Sequence, residues 1–112
     1  MTDDSKTLAS TSNIAMLVLS LLTDEPMYGY RIIKELDARS HNHFQLKEGS
    51  LYPILHQMEK DGLVTTRWRR QSGKPDRRYY YITRRGSKAF AQARGEFEAH
   101  VKAMRLVMEC GM

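Results

Sequence analysis

Two segments rich in β-branched and aromatic residues constrain the fold most strongly. VTTRWRR (64–70) and RRYYYIT (77–83) are both typical of β-strands, and QSGKPD (71–76) between them supplies the Gly, Pro and Asp of a turn. They predict a two-stranded antiparallel hairpin with a six-residue tip. Helical patterns precede and follow the hairpin, so the predicted class is mainly α, of the α+β type.

Three helical segments precede the hairpin. The first is capped by Ser12 or Asn13 and ends before Pro26, which restricts the residue before it to extended geometry. Its apolar stripe consists of Ile14, Leu17, Val18, Leu21 and Leu22. The second segment, within MYGYRIIKELDAR (27–39), places Tyr30, Ile33, Leu36 and Asp37 on one side, flanked by Ile32. Gly29 in its first turn indicates close approach of another backbone or of a ligand, because glycine in a helix costs up to ~1 kcal/mol relative to alanine.

The third segment, GSLYPILHQMEKDGLV (49–64), has a proline inside a helical pattern. Its apolar face consists of Leu51, Ile54, Leu55 and Met58. If Ser50 or a residue just before it caps the helix, Pro53 falls in the first turn, where its missing N–H costs little. The opposite face carries Tyr52, His56 and Gln57, whose side chains can bond phosphates and base edges. On spacing alone, an ordinary solvated face is an equally good interpretation.

Basic residues are concentrated in and beside the hairpin. Residues 67–88 hold nine of the 18 Lys and Arg residues but only one of the 13 acidic residues, Asp76, and the formal net charge of the chain is +5. A solvated surface normally mixes both signs, whereas a basic ribbon releases counterions from a phosphate backbone. The charge pattern therefore favours nucleic acid over an anionic membrane or an acidic protein as the partner.

The order of these elements is that of a winged helix-turn-helix, in which the third helix enters the major groove of DNA and the hairpin, or wing, lies along the backbone. Three stretches, LLTDEPMYGYRIIKEL, LKEGSLYPILHQMEKDGLV and RRYYYITRRG, resemble the signature stretches of the PadR family of bacterial transcriptional regulators, in the family's order and spacing. The resemblance covers roughly residues 14–88. It implies a dimer that usually represses genes and releases DNA when a small aromatic or cationic compound binds.

We expect three parts in the chain. Residues 1–11 form a flexible N-terminal tail, residues 12–83 a winged helix-turn-helix DNA-binding domain with a two-stranded wing, and residues 84–112 a C-terminal dimerisation helix. By the resemblance, the recognition helix starts at Gly49–Tyr52, and the homodimer binds a palindromic operator in double-stranded DNA. The residues expected to contact DNA are Tyr28, Arg31, Lys47, Ser50, Tyr52, His56, Gln57, Lys74, Arg77 and Arg78.

The last helix has a heptad-like apolar stripe. It consists of Phe90, Phe97, Val101, Met104 and Met108. We expect it to pack against the first helix and against the partner's last helix, so that a dimer buries what a monomer would expose. The resemblance also implies a ligand pore between the terminal helices, lined by Phe97, Met104 and Met108, since methionine adapts to varied shapes. Trp68 on the first strand is expected to be a packing residue.

Other functions find little support in the sequence. Cys110 is the single cysteine and cannot form an internal disulfide, so a cytoplasmic protein is expected. The longest apolar run, IAMLVLSLL (14–22), is about half the roughly 20 residues that span a bilayer, so no membrane partner is expected. The histidines lack metal-ligand spacing and no catalytic motif is present, so we predict no metal, no cofactor and no enzymatic activity.

The alternative function is a winged-helix protein-interaction module whose basic hairpin docks an acidic partner.

Overall fold

The structure, a computed structural model, describes residues 12–109. This range contains four helices, α1 to α4, and a three-stranded antiparallel sheet. In chain order the elements are α1 (Ser12–Asp24), β1 (Met27–Tyr28), α2 (Gly29–Arg39), α3 (Glu48–Lys60), β2 (Val64–Gln71), β3 (Lys74–Ile82) and α4 (Arg84–Glu109). This is the predicted order of three helices, a hairpin and a C-terminal helix. The expected N-terminal tail and Cys110 lie outside the described residues.

The sheet has one strand more than the sequence predicted. Its strand order is β1-β3-β2, because Met27 pairs with Tyr80 and Tyr28 pairs with Tyr79. Met27 and Tyr80 are buried, so the face of the sheet that they share packs against the helices. The two-residue strand β1 therefore attaches the start of α2 to the hairpin.

The tip of the hairpin is shorter than predicted. Gln71 pairs with Lys74, which leaves Ser72 and Gly73 as a two-residue turn in place of the expected six residues. Gly73 has a φ of +70°, a conformation that favours glycine. Pro75 lies within β3, although proline has no N–H to donate to a neighbouring strand. It is tolerated there because it lies beside a bulge and in the part of β3 that β1 does not reach.

The hydrophobic core lies between α1, α2, α3 and the inner face of the sheet. Its fully buried side chains include Val18, Leu19, Met27, Ile32, Leu51 and Leu55. Leu19 was not in the predicted stripe of α1, and it is buried because this helix contacts α2, α3, β3 and α4. The expected face of α2 was wrong at Tyr30, which is 53% exposed, while Ile32 and Leu36 are buried.

Helix α3 begins earlier than predicted. Lys47 occupies the N-cap, and its carbonyl accepts hydrogen bonds from the amides of Ser50 and Leu51 at 2.9 and 3.0 Å. Pro53 consequently lies in the second turn, so the expectation that it falls in the first turn was wrong. Its missing N–H deprives the carbonyl of Gly49 of the usual helical donor. Both residues are exposed, so water can solvate that carbonyl, and the buried face beneath keeps the helix continuous.

The end of α3 is fixed by a Schellman motif. Gly62 has a φ of +76°, its amide donates to the carbonyl of Glu59 at 3.1 Å, and the amide of Leu63 donates to the carbonyl of Met58 at 2.9 Å. A side chain at position 62 would be strained in this conformation. The turn sets the direction in which the chain leaves α3 and enters the wing.

Thr83 joins the start of α4 to that same turn. Its side-chain oxygen accepts a hydrogen bond from the amide of Gly86 at 3.0 Å, as an N-cap does, and its hydroxyl lies 2.6 Å from the carbonyl of Gly62. Its amide donates to the carbonyl of Leu63 at 3.0 Å. Helix α4 is therefore anchored directly to the end of α3.

Candidate nucleic-acid interface

The outward face of α3 is polar and open. Helical spacing places Ser50 and Gln57 along one border of this face and Tyr52 and Glu59 along the other, with His56 between them. Lys47 lies at the start of the helix, and the side chains of Lys47, Ser50, His56 and Gln57 are exposed. The structure thus brings the expected α3 residues to one surface.

Gln57 is held by its own helix. Its side-chain amide donates to the carboxylate of Asp61 at 3.0 Å, an i,i+4 contact. The second N–H and the amide oxygen of Gln57 stay available. These two groups are the donor and acceptor that recognise an adenine edge.

Tyr52 has a second role in packing. Its ring lies against the start of α2, where a Cβ added at Gly29 would come within 2.7 Å of the ring carbon Cζ. The close approach predicted at Gly29 therefore exists, but the approaching group is a side chain. Partial burial raises the pKa of the Tyr52 hydroxyl, and the negative charge of Glu48 adds to the effect. The hydroxyl remains protonated and able to donate a hydrogen bond.

Glu59, which sequence reasoning missed, connects α3 to both strands of the wing. Its carboxylate accepts hydrogen bonds from the guanidinium of Arg78 at 3.1 and 3.2 Å and from the hydroxyl of Thr66 at 3.3 Å. Arg78, an expected DNA contact, is thus ion-paired in the free chain. No local sequence pattern predicts this contact, since it depends on how the hairpin packs on α3.

The remaining expected residues lie around the sheet. The guanidinium carbon of Arg77 lies 4.2 Å from the centre of the Tyr28 ring, on the face of the sheet away from the helices. Lys74 is exposed at the hairpin tip. Arg31 is paired with Glu25 at 2.7 Å, and this hydrogen bond raises the pKa of the guanidinium. The expected DNA set is therefore divided between α3, the wing and the start of α2.

The apolar stripe of α4 divides into two parts. Phe90 packs against the chain's own core, and α4 contacts α1 as expected. Phe97, Met104 and Met108 lie further along and are exposed, with Met104 at 47%. Leu106 and Val107, which were not part of the predicted stripe, are also exposed.

Trp68 does not pack in the described chain. It is 68% exposed on β2, opposite Arg78, so the packing role expected from the sequence was wrong.

Residues 12–109 contain no group of three His, Cys, Asp or Glu side chains placed to hold a metal ion. None of the helices in this range combines the length and apolarity needed to span a bilayer.

The sequence and the fold of the chain are both similar to those of known proteins. Residues 18–92 match a family model described as the transcriptional regulator PadR-like family. The chain is 31% identical over 85 residues to transcriptional regulator Rv3488 of Mycobacterium tuberculosis, which covers 76% of each chain. It is 31% identical to a PadR family transcription regulator from Clostridium difficile of known structure, with a TM-score of 0.76, covering 85% of this chain and 97% of that one. Bacillus subtilis PadR in complex with operator DNA shares the fold at 22% identity and a TM-score of 0.65, covering 71% of this chain and 45% of that one.

Proposed function

The chain belongs to the PadR-like family of transcriptional regulators, and we propose that it acts by binding double-stranded DNA in a sequence-dependent way. The observation that carries this proposal is the exposed polar face of α3 beside a strongly basic wing, within a fold shared with a regulator solved on operator DNA. In this proposal α3 enters the major groove and the wing contacts the backbone. The proposed contacts are Tyr28, Arg31, Lys47, Ser50, Tyr52, His56, Gln57, Lys74, Arg77 and Arg78.

The exposed part of α4 supports a dimer. Phe97, Met104 and Met108 share one side of the helix with the half-buried Val101 and would be covered by the same residues of a second copy. Residues 12–83 then bind DNA and residues 84–112 dimerise. Two copies of α3 related by a two-fold axis suit a palindromic operator. A cytoplasmic repressor of this form would release DNA when a small aromatic or cationic ligand enters between the paired α4 helices.

The test is a DNA-binding measurement on the full chain. A preferred duplex is selected from a randomised pool, and fluorescence anisotropy then compares it with a scrambled duplex over a range of salt concentrations. We expect tighter binding to the selected duplex and a steep loss of affinity with salt. Weak binding without a sequence preference would contradict the proposal. It would leave the protein-interaction module, with an acidic partner on the wing, as the better account.

Replacing Gln57 with alanine is expected to lower sequence discrimination. If Gln57 contacts a base, the preference for the selected over the scrambled duplex falls roughly tenfold, or ~1.4 kcal/mol. Gln92→Ala is the matched control, because Gln92 makes the same kind of i,i+4 contact, with Glu96, but lies on α4. An equal loss of affinity for both duplexes would assign Gln57 to the backbone instead.

Replacing Glu59 with glutamine is expected to release Arg78. Arg78 then reaches a phosphate without first breaking its ion pair with Glu59, so affinity for the scrambled duplex should rise roughly two- to fivefold. The preference for the selected duplex should fall because the wing is less firmly held. Glu35→Gln removes the same charge from an ion pair with Arg39 on α2 and serves as the control. An unchanged affinity for the scrambled duplex would show that Arg78 does not exchange Glu59 for DNA.

A further inference from the structure

The face of the sheet away from the helices carries a layer of stacked arginines and tyrosines. Tyr80 points into the core, so its neighbours on β3 point outward, together with the residues that pair with them. We call this surface the arginine–tyrosine face. It consists of Tyr28, Arg67, Arg69, Arg77, Tyr79 and Tyr81.

Tyrosine rings hold the arginines in place. The guanidinium carbon of Arg69 lies 4.0 Å from the centre of the Tyr79 ring, and two of its nitrogens donate to the hydroxyl of Tyr81 at 3.1 and 2.9 Å. Arg77 lies in the same way over Tyr28, and Arg67 lies 5.3 Å from the ring of Tyr81. Because stacking fixes the planar groups, their outward N–H donors are ordered before any ligand arrives.

These arginines lack acidic partners within the described chain. Arg31, Arg78 and Arg94 are each paired with a carboxylate, whereas no carboxylate of residues 12–109 forms an ion pair with Arg67, Arg69 or Arg77. Arg69 and Arg77 are also direct cross-strand neighbours. Like charges opposite each other destabilise a sheet. An anion bound between the two groups would relieve that repulsion.

A phosphate backbone fits this surface better than the other anionic partners. The guanidinium groups cover the tyrosine rings, so the rings are not open to stack on the bases of a single strand. Protein partners usually bury an aromatic or aliphatic anchor at the centre of the interface, and this face presents charge there instead. Arg67 and Arg69 form a row along β2, roughly 7 Å apart. Phosphates along a duplex supply a matching row of charges.

We propose that the arginine–tyrosine face binds the phosphates of duplex DNA flanking the segment contacted by α3. This inference rests on the proposed DNA-binding function and extends it from Arg77, which the face shares with that proposal, to Arg67 and Arg69. Tyr79 and Tyr81 act as positioning residues, because they hold the guanidinium groups in place without themselves needing to touch DNA. The bound site is then longer than α3 and the wing tip alone require.

The experiment compares two lengths of the selected duplex. One is trimmed to the shortest length that keeps its preference over a scrambled sequence, and the other is extended by about one helical turn at each end. We expect the wild-type chain to bind the extended duplex about tenfold more tightly, with a steeper salt slope. Equal affinities for the two lengths would overturn the inference, while a preference for the trimmed duplex over its scrambled form separately tests the proposed function.

Arg69→Gln tests the surface directly. We expect it to remove most of the gain from the flanks and to lower the salt slope by about 0.9 on the extended duplex, with little change on the trimmed one. Arg94→Gln on α4 is the control for general loss of charge. Tyr79→Leu keeps every charge but removes the ring under Arg69. It is expected to lose part of the gain in affinity that the extended duplex gives over the trimmed one. A loss from Arg69→Gln that is equal on both duplexes, or matched by Arg94→Gln, would overturn the inference.

Discussion

Replacing Met104 with glutamate is expected to convert the proposed dimer into monomers. Met104 lies in the exposed part of the α4 stripe, and a carboxylate placed there would be buried without a partner in the dimer. Size-exclusion chromatography with light scattering measures the change in mass. Affinity for a palindromic duplex should fall by about a hundredfold or more, because the two half-sites are no longer bound by one linked molecule.

Ala99→Glu is the matched control for this change. Ala99 is exposed on α4, and helical spacing places it nearly opposite the stripe formed by Phe97, Val101 and Met104. The Ala99→Glu substitution adds the same charge to the same helix and should leave the dimer intact. A Met104→Glu variant that remains dimeric would contradict the assignment of this stripe to the interface.

Replacing Gly86 with alanine is expected to give the largest loss of stability. Gly86 is buried at the start of α4, and an added Cβ would collide with the carbonyl oxygen of Leu63 and come within 2.9 Å of Cγ1 of Ile82. Backbone cannot rotate away as a side chain can, so α4 must shift from the turn after α3. We expect a decrease of about 3 kcal/mol in the free energy of unfolding, as for other overpacked cores.

Gly95→Ala provides the opposite result in the same helix. No atom lies within 4 Å of a Cβ added at Gly95, so the substitution should stabilise the protein by up to about 1 kcal/mol through helix propensity. Urea unfolding at one fixed protein concentration compares the two variants, because dimerisation makes stability depend on concentration. Equal effects of the two substitutions would show that the contact at Gly86 does not determine the position of α4.

Much of the fold was predictable because its signals are local. The apolar faces of α1 and α3 follow from spacing alone, and the residues at their centres, such as Val18, Leu51 and Leu55, are buried as expected. The hairpin was evident from its β-branched and aromatic residues. The Asp61–Gly62 pair lies at the end of α3, where a glycine with positive φ stops the helix.

The features that sequence reasoning missed depend on tertiary contacts. Strand β1 is too short to show alternation, and only its pairing with β3 makes it a strand. Pro75 suggested a turn, although its place beside a bulge lets it remain in β3. The ion pair between Glu59 and Arg78 joins residues 19 positions apart. A pattern of residue types along the chain carries no information about such a contact.

The exposed indole on β2 gives the protein a built-in optical reporter. Trp68 is the single tryptophan of the chain, so selectively excited tryptophan emission comes from the wing alone. In water such an exposed ring emits at long wavelength, and covering it shifts the emission and changes its intensity. Docking of the wing can therefore be followed without any attached dye, separately from contacts made by α3.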